Sequence, residues 1–290
     1  MKIKIAAVTD VGIERDNNED SFVICQDLEA QEWQREDMAR YIPIGRYGAL
    51  LVVADGMGGT NAGEVASLIA TETVRGIFSK ENISEYIAKK QMHDLLRNAF
   101  EMADNAIKKG VEEDPNTIGM GSTLVICWVM KNSVHVAWCG DSRCYVYNSS
   151  EGLKALTKDH SYVQELIDQG IISEKQAFLH PDNNIITRCI GDADTIASPD
   201  ITECMIKPHD VLLLCSDGLC GYCDNQSIED ILNRYCSNII KCKDELLKIA
   251  LNAGGHDNIS IVLASLVDKE KECFLKAITK KWFFELFRRK

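Results

Sequence analysis

The apolar run Ala49-Leu50-Leu51-Val52-Val53-Ala54 ends on Asp55-Gly56-Met57-Gly58-Gly59, which sets a carboxylate at its mouth. An ionised Asp there is costly unless something pairs with it, and the glycines that follow let backbone approach a ligand closely. The event repeats where Val211-Leu212-Leu213-Leu214-Cys215-Ser216 meets Asp217-Gly218. Two further acidic sites precede apolar runs: Glu19 and Asp20 stand before Ser21-Phe22-Val23-Ile24-Cys25, and Asp257-Asn258 before Ile259-Ser260-Ile261-Val262-Leu263. Asp-Gly alone is a common turn dipeptide, and one occurrence would mean little. Four acidic sites gathered in one place would repel one another unless cations sat among them. Carboxylate oxygens without His or Cys suit hard ions such as Mg2+ or Mn2+.

The elements that must carry these acids follow from the pattern. Short apolar runs bounded by glycine or polar residues read as strands buried on both faces. In neighbouring antiparallel strands the end of one lies beside the beginning of the next, so all four acidic sites can fall on one edge of a sheet. Residues 3–9 alternate as an opening strand. Residues 26–46 read as a long polar hairpin excursion. Further strands are predicted at 122–129, 133–139 and 144–147, the last two joined by a hairpin turn, Gly140-Asp141-Ser142-Arg143, whose Asp141 is a fifth acidic candidate. Helices are predicted at 63–74, with Val65, Leu68 and Ile69 toward a sheet, and at 89–109, with Gly110 as its stop. Residues 159–190 carry short helices, Gly170 closing one and Ser173 capping the next, and two more helices lie at 227–235 and 244–253. His160 and His180 have no paired ligand spacing and read as structural. Arg15, the one basic residue of the loop leading into Glu19 and Asp20, is either a surface partner of Glu14 or Asp16 or a planar clamp for phosphate oxygens.

Over 290 residues, 46% hydrophobic and 26% charged content describes a globular chain with ample core. Acidic sites spread from Glu19 to Asp257 make nearly all of it one domain if they converge. The net charge of -12 argues against a nucleic-acid surface, and hence against a two-metal nuclease, but allows a phosphorylated substrate at a metal site. With no export signal and no membrane-length apolar segment, the expected location is cytoplasmic, and the twelve cysteines read as reduced core residues. Cys220, Cys223, Cys236 and Cys242 are too irregularly spaced for a structural zinc site. Residues 268–290 read as a basic amphipathic helix that packs on its own domain, with membrane or partner docking as the minority reading.

The pieces Gly12-x-x-Arg15-x-x-Asn18-Glu19-Asp20, Val53-x-Asp55-Gly56-Met57-Gly58-Gly59, Gly119-Met120-Gly121-Ser122-Thr123, Gly140-Asp141-Ser142-Arg143, Asp159-His160-Ser161, Thr187-Arg188-x-x-Gly191, Ser216-Asp217-Gly218-Leu219 and Asp257-Asn258 occur in that order. The sequence so resembles the metal-dependent serine/threonine protein phosphatases, the PPM family, in its bacterial-type branch. The resemblance implies an α+β fold, a four-layer α-β-β-α sandwich of two antiparallel sheets with a two-metal site at one end, over residues 1–267. It implies hydrolysis of phosphoserine and phosphothreonine by a metal-bridging water or hydroxide, without a covalent intermediate, in signalling. A catalytically weak phosphoprotein-binding module of the same fold is the alternative, but no ligand of the set is missing. By the same resemblance Asp55 bridges two Mn2+ or Mg2+ ions, the Gly56 carbonyl joins one, Asp217 and Asp257 hold the other, and Glu19 and Asp20 act through water. Asp141 can join Asp217 on a third ion, and Arg15 binds the phosphate. Met57 stands where some members carry a His proposed as general acid, and a thioether cannot give a proton. The implied partners are phosphorylated proteins, the substrates of serine/threonine kinases.

Overall fold

The computed structural model describes residues 1–58, 62–193 and 197–268, so the expected tail helix and Gly59 lie outside the described residues. The chain opens with β1 (Lys2–Asp10), β2 (Asp20–Cys25), β3 (Trp33–Gln34), β4 (Met38–Pro43) and β5 (Ala49–Met57). Three helices follow, α1 (Ala62–Ile77), α2 (Lys80–Ala88) and α3 (Met92–Glu113). Next come β6 (Gly121–Ser122), β7 (Leu124–Val129), β8 (Ser133–Cys139), β9 (Arg143–Asn148) and β10 (Gly152–Ala155). After the short helices α4 (Tyr162–Asp168) and α5 (Glu174–Phe178) the chain forms β11 (Asp200–Met205) and β12 (Val211–Cys215). It ends in α6 (Asp217–Cys220), α7 (Asn225–Tyr235), α8 (Ile239–Asn252) and β13 (Ile259–Val267).

The strands form two antiparallel sheets, ordered β10-β9-β12-β13-β1-β4 and β11-β8-β7-β5-β2-β3, with β6 paired to β5. Alternation decides what each face meets. Phe22, Ile24, Leu51 and Val53 pack against Ile3, Ile5, Leu212 and Leu214 between the sheets. Val23, Leu50 and Val52 face α1 and α3, while Leu213, Ile261 and Leu263 face α6, α7 and α8. This is the expected four-layer α-β-β-α arrangement. β2, β5 and β12 are mostly or wholly buried, which is why they read as unbroken apolar runs rather than alternating ones.

Several expectations need correction. The segment Gly140–Arg143 is not a hairpin: β8 belongs to one sheet and β9 to the other, so the chain crosses between sheets here. Gly140 makes the passage at φ +114, and a Cβ there would stand 2.6 Å from Thr123. Residues 26–46 are likewise more than a hairpin, since β3 pairs with β2 but β4 pairs with β1 of the opposite sheet. The inner face of α1 is Ala66, Ser67, Ala70, Thr71 and Val74, whereas Val65 and Leu68 are 41% and 48% exposed. Small side chains let the helix lie close on the sheet, and Val65 and Leu68 turn outward, while Ile69 packs against the core as expected. Gly110 does not stop α3, which runs on to Glu113; a Cβ at Gly110 would press on the Met120 side chain at 2.9 Å, so the glycine makes room for a neighbour. Of the short helices of 159–190, α5 starts at Ser173 as expected, through a capping box with Gln176, and α4 is capped by Ser161. Among the described residues the cysteines are free, and Cys220, Cys223 and Cys242 lie in the apolar core rather than around a metal.

Candidate metal centre

The acids meet at one end of the sandwich, at the facing ends of both sheets rather than on the edge of one. Asp20 and Asp55 are direct partners in the β2–β5 ladder. Both share the strand parity of the inter-sheet residues Phe22, Ile24, Leu51 and Val53. Like charges directly opposite in a ladder are destabilising, so something else must favour this pair. From the other sheet, β12 ends beside the beginning of β13, which brings Asp217 and Asp257 to the same end. Ser216 joins the sheets: its Oγ donates to Asp20 Oδ2 at 2.7 Å and accepts from the Ser260 backbone N–H at 2.9 Å.

Asp141 arrives on the crossing from β8 to β9, and it is buried, not a surface turn residue. The crossing is held against β5 by Thr123. The Thr123 N–H donates to the Asp55 carbonyl at 2.8 Å, its Oγ1 accepts from the Asp55 N–H at 3.0 Å, and the same hydroxyl pairs with Ser142 Oγ at 2.8 Å. Behind it, His160 Nδ1 accepts from the Gly140 N–H at 3.1 Å and its ring stacks on Trp138, so His160 is structural as expected. Arg143 forks onto Asp159 with two bonds of 2.8 and 2.7 Å, which fixes the far side of the crossing. His180 accepts from the Asp182 N–H and packs edge-on against Tyr162, a structural role as expected.

The loop that carries Arg15 and Glu19 is tied down by Asn258. Its Oδ1 accepts from the Glu19 N–H at 2.7 Å, and its Nδ2 donates to the carbonyls of Val11 and Asn17, each at 2.9 Å. Arg15 therefore reaches the acids, where its Nη2 donates to Asp257 Oδ2 at 2.7 Å. Neither surface partner weighed for it is used, and Glu14 instead meets His256. Gly56 donates its N–H to the Glu19 carbonyl at 3.0 Å, and a Cβ on it would fall 1.9 Å from the Gly63 carbonyl, so only glycine lets the start of α1 come this close.

Burial pushes the Asp20 carboxyl up to about 8, against the hydroxyls of Ser216 and Ser260 that favour its charge. Burial first, and then the fields of Asp20, Asp217, Asp141 and Asp257, hold Asp55 well above the carboxylate range. Asp141 is raised well above that range by burial and by Asp217 and Asp159, and Asp217 is raised to about 6 by burial and by Asp257. Burial also raises Glu19. Among the described residues, the buried side-chain oxygens with no hydrogen-bond partner are Asp20 Oδ1, Asp141 Oδ1 and Asp217 Oδ1. Acids that resist ionisation and still point bare oxygens inward fit hard divalent cations, which would repay their charge and fill the orphaned lone pairs. Two contributions gain a role only from the structure. Ser216 stands in the sequence as the last residue of an apolar run, although its even spacing from Leu212 and Leu214 marks it as facing the other sheet; the partnership of Asp159 with Arg143 has no local signal.

Residues 14–259 match the family model described as Protein phosphatase 2C. The chain is similar to the serine/threonine protein phosphatase PstP of Mycobacterium tuberculosis, 32% identical over 267 residues, covering 92% of this chain and 45% of that protein. It thus spans less than half the length of that relative. Among solved structures it is similar to the serine/threonine phosphatase Stp1 of Staphylococcus aureus, with a TM-score of 0.78 and 34% identity over 91% of this chain and 95% of the other. It is also similar to the catalytic domain of PstP in complex with two manganese ions, with a TM-score of 0.73 and 31% identity over 92% and 99% of the two chains.

Proposed function

Because this chain belongs to the protein phosphatase 2C family, we propose that it hydrolyses phosphoserine and phosphothreonine in proteins with two Mn2+ or Mg2+ ions held by the acid cluster. The observation that carries this reading is the set of bare, buried oxygens on Asp20, Asp141 and Asp217 around Asp55. In the proposed assignment Asp55 would serve both ions, the Gly56 carbonyl and Asp217 and Asp257 would help hold them, and Glu19 and Asp20 would act through water. Asp141 with Asp217 offers a place for a third. When bound, such ions supply a water of lowered pKa and neutralise charge developing on phosphorus.

The chain's own residues bind and orient the substrate. Arg15 is 48% exposed at the rim, so its guanidinium can face a phosphoryl group while Asp257 steadies it. Met57 cannot donate a proton to the leaving oxygen, which therefore takes it from water. Cys215 is wholly buried in β12 and is no nucleophile. The proposed partners are phosphorylated proteins, substrates of serine/threonine kinases, which puts the proposed place of work in the cytoplasm. Among the described residues no helix is long and apolar enough to cross a membrane.

Phosphate release from a phosphothreonine peptide, with Mn2+ and then with excess chelator, tests the reaction. Turnover that needs Mn2+ is expected, and full activity in chelator would refute it. Replacing Arg15 by Ala removes charge-assisted bonds worth roughly 1.5 to 3 kcal/mol each, so kcat/KM is expected to fall about ten- to a hundredfold. Lys at this position offers a point charge without the fork and is expected not to restore it. Steady-state kinetics of both variants on one phosphopeptide check this, and an unchanged kcat/KM would return Arg15 to a surface role.

A further inference from the structure

A second group of potential ligands lies away from the acid cluster. His93 in the first turn of α3, His135 on β8 and Glu203 on β11 present one ligand atom each, all within 4.8 Å of one another. We propose that these three residues form a site for a zinc-class transition metal ion. The triangle has sides of 3.4 Å from His135 Nδ1 to His93 Nε2, 3.6 Å from His135 Nδ1 to Glu203 Oε2, and 3.9 Å from His93 Nε2 to Glu203 Oε2. These separations are long for hydrogen bonds, which centre near 2.9 Å. They are close to what a metal requires. The point in their plane equidistant from the three atoms lies about 2.1 Å from each, the length of zinc–nitrogen and zinc–oxygen bonds, so a slight closing of the triangle would seat a tetrahedral ion above it.

The fold builds this arrangement from three distant segments. Glu203 is the direct ladder partner of His135 in the β8–β11 pair. Ala137 and Cys139, at the same parity as His135, face the α1 and α3 side of the sheet, and Ile201, at the parity of Glu203, packs there too. His93 comes down on that face from α3. The second nitrogen of His135 has a polar neighbour of its own: Nε2 lies 3.3 Å from Ser133 Oγ. With the Ser133 hydroxyl accepting from Nε2–H, the lone pair of Nδ1 is left for the metal, the usual way an outer partner fixes a ligating tautomer. Glu203 is exposed and supplies the one negative charge of the set; a water would complete a tetrahedral ion. Two imidazoles and a carboxylate select zinc, nickel, cobalt or copper over the Mg2+ and Mn2+ that an all-oxygen site favours. Since His135 lies four residues before the end of β8 at Cys139, the site stands about 13 Å along the strand from where the chain turns toward Asp141. Its role is to clamp the start of α3 to the β8–β11 edge, independent of the reaction.

The test is Zn2+ titration of the full chain in excess Mg2+, which occupies oxygen sites without competing for imidazole. X-ray absorption at the zinc edge and thermal denaturation are read alongside. One tight equivalent with two imidazole ligands is expected, together with a Zn2+-dependent rise in melting temperature. His93→Ala and Glu203→Gln, at half-exposed and exposed positions, are expected to weaken Zn2+ binding at least a hundredfold and abolish the rise, with Mn2+-dependent phosphate release unchanged. The catalytic acids include no histidine, so an imidazole signal can only come from outside them. Zinc bound through oxygen alone, or an affinity and melting shift unaltered in His93→Ala, would overturn the proposal.

Discussion

Asp55→Asn is expected to lower kcat/KM by about a thousandfold or more while leaving the protein folded, the largest loss among substitutions in the cluster. The reason is position. Asp55 receives the fields of Asp20, Asp217, Asp141 and Asp257 together, so it stands where one carboxylate can serve both proposed ions. Asn keeps the shape and removes the charge that would hold them. Asp141, raised mainly by burial and by Asp217 and Asp159, stands to one side, and Asp141→Ala is expected to cost only about tenfold. A second readout separates lost chemistry from lost fold. The metal-free variant should melt above metal-free wild type at neutral pH, because Asn removes an acid whose carboxyl the folded state holds well above its unfolded range. Kinetics and thermal melts of the two variants decide the matter, and equal losses, or an unfolded Asp55→Asn, would contradict the assignment.

Metal-free protein is expected to lose stability as pH rises from 6 to 8, the reverse of a domain held by paired carboxylates. Asp20 in the folded state titrates near 8, and Asp217 near 6, both above the roughly 3.9 of an unfolded aspartate. The folded state then holds more protons than the unfolded one, so stability is full below the unfolded value and is lost as pH rises through the folded one. Over pH 6 to 8 Asp20 alone accounts for about 2 kcal/mol, or a melting temperature lower by about 4 to 8 °C. Saturating Mn2+ should raise the melting temperature most at the upper end, because cations favour the ionised acids. Differential scanning calorimetry at several pH values, with and without Mn2+, checks the sign. A metal-free profile that rises with pH would show that the acids are satisfied without ions.

The acidic end was legible because burial writes itself into sequence as unbroken apolar runs, and an acid at either end of such a run has no inexpensive explanation. Asp20, Asp55, Asp217 and Asp257 were all visible in this way. What the runs do not encode is which sheet receives each strand. Gly140–Arg143 has the local chemistry of a turn whether its strands pair or part, and only packing against Thr123 sends the chain across. The face of α1 was misread because hydrophobic size was taken for burial, whereas close helix–sheet approach selects Ala66 and Ala70 over Val65 and Leu68. α2 went unseen since its sequence buries little beyond Ile83. His93, His135 and Glu203 carry no common spacing at all; their meeting is a product of the ladder between β8 and β11 and of the descent of α3.

The most direct measurement of the central claim is a calorimetric Mn2+ titration of the chelator-stripped protein at neutral pH, repeated in buffers of different ionisation enthalpy. If the raised carboxyls of Asp20, Asp55 and Asp141 are the cation site, at least two equivalents should bind in wild type with net release of protons, and Asp55→Asn should lose both the binding and the release. Mn2+ binding without proton release and unchanged in Asp55→Asn, or no binding at all, would contradict it.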